Sequence, residues 1–402
     1  MLNLDLIQTV AFAGVVLFIG YALCRWIRPL SRYNIPAPVV GGLLVAVAVL
    51  IAHQNGATLI SFDTTLRDPL MIAFFTTIGF TASVRLLKRG GPRVVLLLAI
   101  AAVVAIAQAL VGAGVAKAFG LPALTGVLAG TATLSGGPAT GLAFAPQFEA
   151  AGVTGAAALA TATAMAGILM AGLFGAPLAT LLIERRGLDP RNTMGRAAEG
   201  SVAIESPAAP VANPSELTFA VLKTVTVIAV SMWLGGLVSG LIQAWGITLP
   251  AYIGSMLVAA VFRNLDDLTG VVKLPHEAIE VGGGAVLALF LVLAMMSLDL
   301  SLLSGLAAPL LVNLAVQLAL IAALVLWPVW WLMGRDYEAA VTAGGFAGFM
   351  LGITANAMAI MRSLVEKYAE APRAFLVVPL VGAFFIDFVN ALVITLFLNL
   401  WG

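Results

Sequence analysis

Residues 94–119 read VVLLLAIAAVVAIAQALVGAGVAKAF, and only Gln108 and Lys117 interrupt the apolar run. A stretch of this length crosses a hydrocarbon core of roughly 30 Å as a helix, and a chain carrying many of them has few other folds open to it. Runs long enough to span occur at about 6–28, 36–53, 69–87, 94–119, 152–183, 217–243, 249–262, 281–303, 306–333 and 373–400. Hydrophobic residues make up 61% of the 402 positions and charged residues 10%, where a soluble domain carries about 25% charged. The reading is an all-α polytopic membrane protein with ten transmembrane helices. Its first run lacks a basic n-region and a small-residue cleavage site, which predicts a retained span.

Several functions drop out on composition. A net charge of +1 gives no reason to expect a nucleic-acid partner. Cys24, the single cysteine, excludes an internal disulfide and reads as a packing residue. His53 and His276 lie at or beyond span ends, so no cluster suits zinc and no Ser–His pair suits an intramembrane protease. No phosphate-binding Walker loop is present. The chain reads as neither an enzyme nor an ATP-driven pump, with no cofactor.

Two further apolar segments, 121–147 and 337–361, are broken by Gly and polar residues. They read as re-entrant hairpins that enter and leave on one side. Charge supports that reading. With ten spans and two non-crossing hairpins, 18 of the 20 Lys and Arg residues fall on one face, leaving only Arg67 and Lys117 on the other. Basic loops stay cytoplasmic, so both termini are expected to face outward. The polar stretch 184–216, with Pro190, Pro207, Pro210 and Pro214, reads as a cytoplasmic tether between a first repeat (1–183) and a second (217–402).

The two halves resemble each other in order. IPAPVVGGLLVA (35–46) matches TLPAYIGSMLVA (248–259), and AFFTTIGFTAS (73–83) matches LFLVLAMMSLDL (289–300). Gln108 matches Gln317, each a lone polar residue in an apolar span. GLPALTGVLAGTATLSGGPATG (120–141) matches GRDYEAAVTAGGFAGFMLGITA (334–355), so that Thr140 aligns with Thr354. Each half holds five spans and a hairpin. Five is odd, so the second half must be inverted relative to the first, the architecture of secondary transporters.

The hairpins carry the chemistry. Irregular backbone at membrane depth survives only where protein buries it or where it lines a wet cavity, which makes 131–144 and 344–356 candidate cavity walls. Half-helices that meet at a break direct their positive N-terminal ends inward, where they can hold a carboxylate. Gly136 and Gly137 allow close backbone approach, and Ser135, Thr131, Thr133 and Thr140 offer hydroxyls to an anion or a bare cation. Thr354 and Asn356 play the matching parts in the second hairpin. The competing reading is close helix packing through small residues, which suits MAGLFGA (170–176) better than SGGPATG (135–141), where Pro138 breaks the helical ladder.

FFIDFVNALV (384–393) places Asp387 in an apolar span, with Asn390 three residues on and on the same face. Intramembrane acids mark ion or proton pathways. No basic residue shares the span, so a sodium ion or a proton is the natural partner. The alternative is a structural acceptor that caps a hairpin end. Gln108 and Gln317 read as interhelical hydrogen-bonding residues rather than ligands.

FLVVPLVGAFFIDFVNALVI (375–394), IPAPVVGGLLVA (35–46), LRDPLMIAFFTTIGF (66–80) and LAGTATLSGG (128–137) strongly resemble segments of the bacterial sodium/glutamate symporter family, and the resemblance covers nearly the whole chain. It implies a sodium-coupled importer of glutamate in the inner membrane, embedded in lipid as a homodimer. It also implies an elevator-like cycle in which a hairpin-bearing domain moves against a static scaffold. The chain departs from the family pattern at Pro138 and Ala139 in the first hairpin and at Gly345 and Asn356 in the second. Substrate carboxylates would sit at Ser135, Gly136, Gly137, Thr140, Thr354 and Asn356. Sodium would sit at Asp387 and Asn390, with Thr131 and Thr133. Two other readings stay open: a proton-coupled or exchange carrier of a different organic anion, and an ion channel with two pore hairpins.

Overall fold

The computed structural model describes residues 2–55, 60–89, 91–188, 214–244, 250–303 and 305–402. The protein is helical almost throughout. Among the described residues, eight helices are long and apolar enough to cross a membrane. Fourteen principal helices follow in order: α1 (Leu6–Trp26), α2 (Ala37–Gln54), α3 (Arg67–Thr81), α4 (Gly91–Ala118), α5 (Ala123–Ala132), α6 (Gly137–Ala150), α7 (Ala156–Arg186), α8 (Pro214–Gln243), α9 (Ala251–Thr269), α10 (His276–Met296), α11 (Ala307–Met333), α12 (Tyr337–Leu351), α13 (Thr354–Lys367) and α14 (Pro372–Trp401). A short parallel pair, β1 (Leu2–Leu4) with β2 (Ile60–Phe62), ties the N-terminus to the segment before α3.

Three of the expected spans have clearly different ends, and the one at 281–303 becomes α10, which starts at His276 and stops at Met296. The segment at 69–87 becomes α3, which stops at Thr81; Ala82 leaves the helical conformation and a separate short helix, Val84–Arg89, follows. The segment at 249–262 becomes α9 and runs on to Thr269. Apolarity ends at Phe262, but the helix does not, because the polar residues beyond it pair among themselves. Arg263 bonds Asp267 one turn on, and Ser83 donates to the same carboxylate. Asn264 Nδ2 donates to the Ala82 carbonyl. Most of the tether at 184–216 lies outside the described residues.

Asp266 closes the turn after α9. Its carboxylate accepts from the backbone N–H groups of Val272, Lys273 and Leu274 at 2.8–2.9 Å. Partial burial pushes its pKa up, but the three donors outweigh it and hold the carboxyl below the usual aspartate range. A depressed folded pKa stabilises above the unfolded value and is lost as pH falls through the folded one. Asp266→Ala should cost about 1 kcal/mol at neutral pH, solvent screening included. Thermal unfolding in detergent checks this, and the gap from wild type should close as pH drops below about 4.

The helices pack in two groups. In one, α2 lies against α1 and α10, α3 against α9 and α10, and α8 against α9. In the other, α4 packs on α5, α11 and α14, while α7 packs on α6, α12 and α13. Between the groups, Phe75 of α3 and Tyr252 of α9 pack on Phe144 of α6, with ring centroids 6.4 and 5.0 Å from it.

Candidate functional site

Both polar segments break as the sequence predicts. In the first, α5 ends in a widened π-turn over Leu128–Ala132, where Gly130 leaves helical geometry (φ −105°, ψ −114°). The chain then turns at Gly137, whose φ of +67° favours glycine, and α6 starts with Pro138 in its first turn. In the second, α12 ends at Leu351 and α13 starts at Thr354, across Gly352 and Ile353. The tips touch: a Cβ on Gly137 would stand 3.0 Å from the Ile353 side chain.

A cavity of about 630 Å³ opens beside these tips. Its walls include Ser135, Gly136 and Thr140 from the first hairpin and Thr354 from the second. The N-terminal turns of α6 and α13 both end there, and their first N–H groups have no partner within their own helix. Asp387 of α14 forms another part of the wall and is half-buried. It makes no hydrogen bond or ion pair with any other described residue. The opposite wall comes from the first packing group: Tyr21 of α1, Asn34 before α2, Phe74 of α3, and Leu287 and Leu291 of α10.

One glutamine joins the two breaks. Gln108 on α4 accepts from Ser135 Oγ at 2.6 Å, and its Nε2 donates to the Met350 carbonyl of α12 at 2.9 Å. Gln317 Nε2 on α11 donates to the Gln108 carbonyl at 2.8 Å. Both glutamines therefore hold helices together, as their solitary placement suggests. In α14 a second widened turn, Leu380–Phe385, follows Pro379. The Gly382 carbonyl within it accepts from Thr354 Oγ1 at 2.5 Å, which docks α13 beside the Asp387 segment.

The structure brings only some of the expected residues to the cavity. Gly137 forms the turn at the tip and does not line the cavity. Thr131 and Asn390 bond each other twice: Thr131 Oγ1 donates to Asn390 Oδ1 at 2.6 Å, and Asn390 Nδ2 donates to the Thr131 carbonyl at 3.0 Å. Thr133 Oγ1 donates to the Leu128 carbonyl at 2.8 Å. Asn356 is buried against α7, where its Nδ2 donates to the Ile168 carbonyl at 2.8 Å. Of the expected polar set, Ser135, Thr140, Thr354 and Asp387 face the cavity with Gly136. Sequence reasoning missed Tyr21, Asn34 and Phe74; a tyrosine inside an apolar span was one available signal, and the place of Phe74 within the quoted segment 66–80 was another. Among the described residues no group of three or more His, Cys, Asp or Glu could hold a metal ion.

The sequence has close relatives of known kind. The family model for the sodium/glutamate symporter matches residues 2–370. The sodium/glutamate symporter of Escherichia coli (strain K12) is 38% identical over 401 residues, which is 100% of this chain and 99% of that protein. That of Haemophilus influenzae (strain ATCC 51907 / DSM 11121 / KW20 / Rd) is 36% identical over 389 residues, covering 96% of this chain and 95% of the relative. At this identity and near-complete coverage of both chains, the protein belongs to the sodium/glutamate symporter family, whose members are transporters and not enzymes.

Proposed function

We propose that the protein is a secondary active transporter that couples the inward flow of sodium to the uptake of glutamate across a bacterial inner membrane. One observation carries the reading. Two broken helices present their N-terminal turns to a single cavity, beside a carboxylate that has no partner among the described residues. Backbone N–H groups and the hydroxyls of Ser135, Thr140 and Thr354 suit a substrate carboxylate. Asp387 offers sodium a carboxylate at the cavity wall, and the oxygens of Asn390, Thr131 and Thr133, which lie off the cavity and bond within the fold, would complete the set from behind it. Asn356 acts from behind, anchoring α13 to α7.

The helix order supports ten spans and two re-entrant hairpins in two inverted repeats. The series α1–α4, hairpin α5/α6 and α7 is repeated by α8–α11, hairpin α12/α13 and α14. The packing groups support an elevator-like division. The scaffold comprises α1–α3 and α8–α10; the moving body holds both hairpins with α4, α7, α11 and α14. Exposed Leu222, Trp233, Leu237 and Leu241 on α8 suit lipid or the second copy of a homodimer. The cavity mouth, at Ser31 and Asn34, adjoins the basic loop that holds Arg28 and Arg32. This proximity supports a mouth on the cytoplasmic side and both termini outside. Sodium couples to transport because an ion held by Asp387 orders the hairpin tips and so raises substrate affinity.

The test is uptake of labelled L-glutamate into proteoliposomes, with and without an inward sodium gradient. Uptake should require the gradient and be competed away by unlabelled glutamate. No uptake by a monodisperse protein would overturn the substrate. Uptake driven by a pH gradient at equal sodium would overturn the coupling ion.

A further inference from the structure

We infer that Arg67 recognises the second carboxylate of the substrate when the binding site faces the side opposite the present cavity mouth. The inference rests on the transport reading above. Among the described arginines three are buried or half-buried: Arg67, Arg263 and Arg373. Arg263 pairs with Asp267, and Arg373 lies within ion-pair distance of Asp336 and Glu338. Arg67 has no such partner among the described residues. The one hydrogen bond its side chain makes among the described residues runs from Nη2 to the Leu142 carbonyl at 3.4 Å, the long limit for such a contact. Asp68 and Glu149 are the acids nearby, both exposed and neither within 4.0 Å. A guanidinium has five N–H donors in a planar fork suited to a carboxylate. A half-buried one with a single weak acceptor is short of an anion.

Its position says which anion. Arg67 opens α3, and Phe74, seven residues on and on the same face, lines the cavity about 10 Å along the helix axis. Its acceptor Leu142 lies on α6 two residues beyond Thr140, also in the cavity wall. Arg67 therefore bridges the scaffold and the moving hairpin, on the side of the tip away from Tyr21, Cys24 and Asn34. A plug of Phe75, Phe144 and Tyr252, with ring centroids 5.0–6.4 Å apart, joins α3, α6 and α9 at the same interface. The Tyr252 hydroxyl in that plug is buried with no hydrogen-bond partner.

No Lys or Arg lines the present cavity. The helix N-termini can take one carboxylate of a two-carboxylate amino acid, and the other still needs a donor. When α6 moves relative to α3, the long Leu142 bond breaks and the plug parts. Arg67 and the Tyr252 hydroxyl then become free on the side where the site opens. A bidentate pair with the distal carboxylate replaces the weak backbone contact, and dicarboxylates are selected over their amides.

The test compares the two faces. Glutamate KM is measured for wild type, Arg67→Gln and Arg67→Lys in whole cells, where substrate meets the outer face, and in inverted vesicles, where it meets the inner one. Arg67→Gln should raise the outer-face KM by about tenfold and leave the inner-face value within about twofold. L-glutamine should compete against glutamate better in Arg67→Gln cells than in wild type. Arg67→Lys, which keeps the charge without the fork, should fall between. Wild-type uptake with an Arg67→Gln KM raised equally at both faces, or at neither, would overturn the role of Arg67 alone. Absence of glutamate uptake by the wild-type protein would instead overturn the substrate reading and this inference with it. If Arg67→Gln is not monodisperse, Arg67→Lys decides: an unchanged outer-face KM overturns the role.

Discussion

Asp387→Asn should lower sodium-driven glutamate uptake by at least about a hundredfold, the consequence of losing roughly 3 kcal/mol of charge interaction with the ion. The substitution preserves size and one oxygen ligand and removes only the negative charge. Asp387 has no hydrogen bond or ion pair with another described residue, so the change breaks no contact that holds the fold. The cavity wall and the widened turn at Leu380–Phe385 should survive it. The expected pattern is therefore a monodisperse protein with wild-type thermal stability and lost transport. Thermal shift separates the effects: sodium should raise the unfolding temperature of the wild type and not of Asp387→Asn. Sodium-dependent uptake that is unchanged in the variant would remove Asp387 from the cation site. Equal loss of stability and uptake would make it a structural residue.

The parts of this site that sequence revealed are those with a local cause. SGGPATG announces its break because Pro138 cannot donate into a helix and Gly137 accepts a positive φ, and the structure breaks there. The lone Gln108 was legible as a residue needing partners. Which partners was not legible, because they lie 27 and 242 residues away. The same holds for Thr131 and Asn390, which satisfy each other across 259 residues of chain. Asn356 shows a different limit. Thr354 and Asn356 are two apart, and residues two apart on a helix do not share a face. With Thr354 on the cavity, α13 turns Asn356 onto Ile168 of α7. Apolarity does not mark the end of α9, because it stops at Phe262, while the helix continues where the charged residues beyond it are paired. Arg263 and Asp267 meet that condition at i, i+4.

Small residues in this protein serve packing as well as binding, and Gly126 measures the first use. A Cβ on Gly126 would stand 1.9 Å from the Gly112 carbonyl oxygen and 2.1 Å from its carbon. The obstruction is backbone on both sides, which cannot rotate away as a side chain would. Gly126→Ala must push α5 off α4 and carry the tip at Ser135–Gly137 with it. Two bonds would feel that shift: Gln108 to Ser135, and Asn313 Nδ2 to the Ala129 carbonyl at 2.6 Å. Overpacking of this kind costs about 3 kcal/mol or more, a large share of the stability of most proteins. Gly114, on α4 two residues from Gly112, is the control, since a Cβ there meets nothing within 4 Å. Gly126→Ala should lower the yield of monodisperse protein in detergent and depress the thermal midpoint by several degrees at least, whereas Gly114→Ala should match wild type. If both variants behaved alike, the α4–α5 approach would not be what fixes the first hairpin, and the position of its tip would have to come from its side-chain hydrogen bonds to Gln108, Asn313 and Asn390.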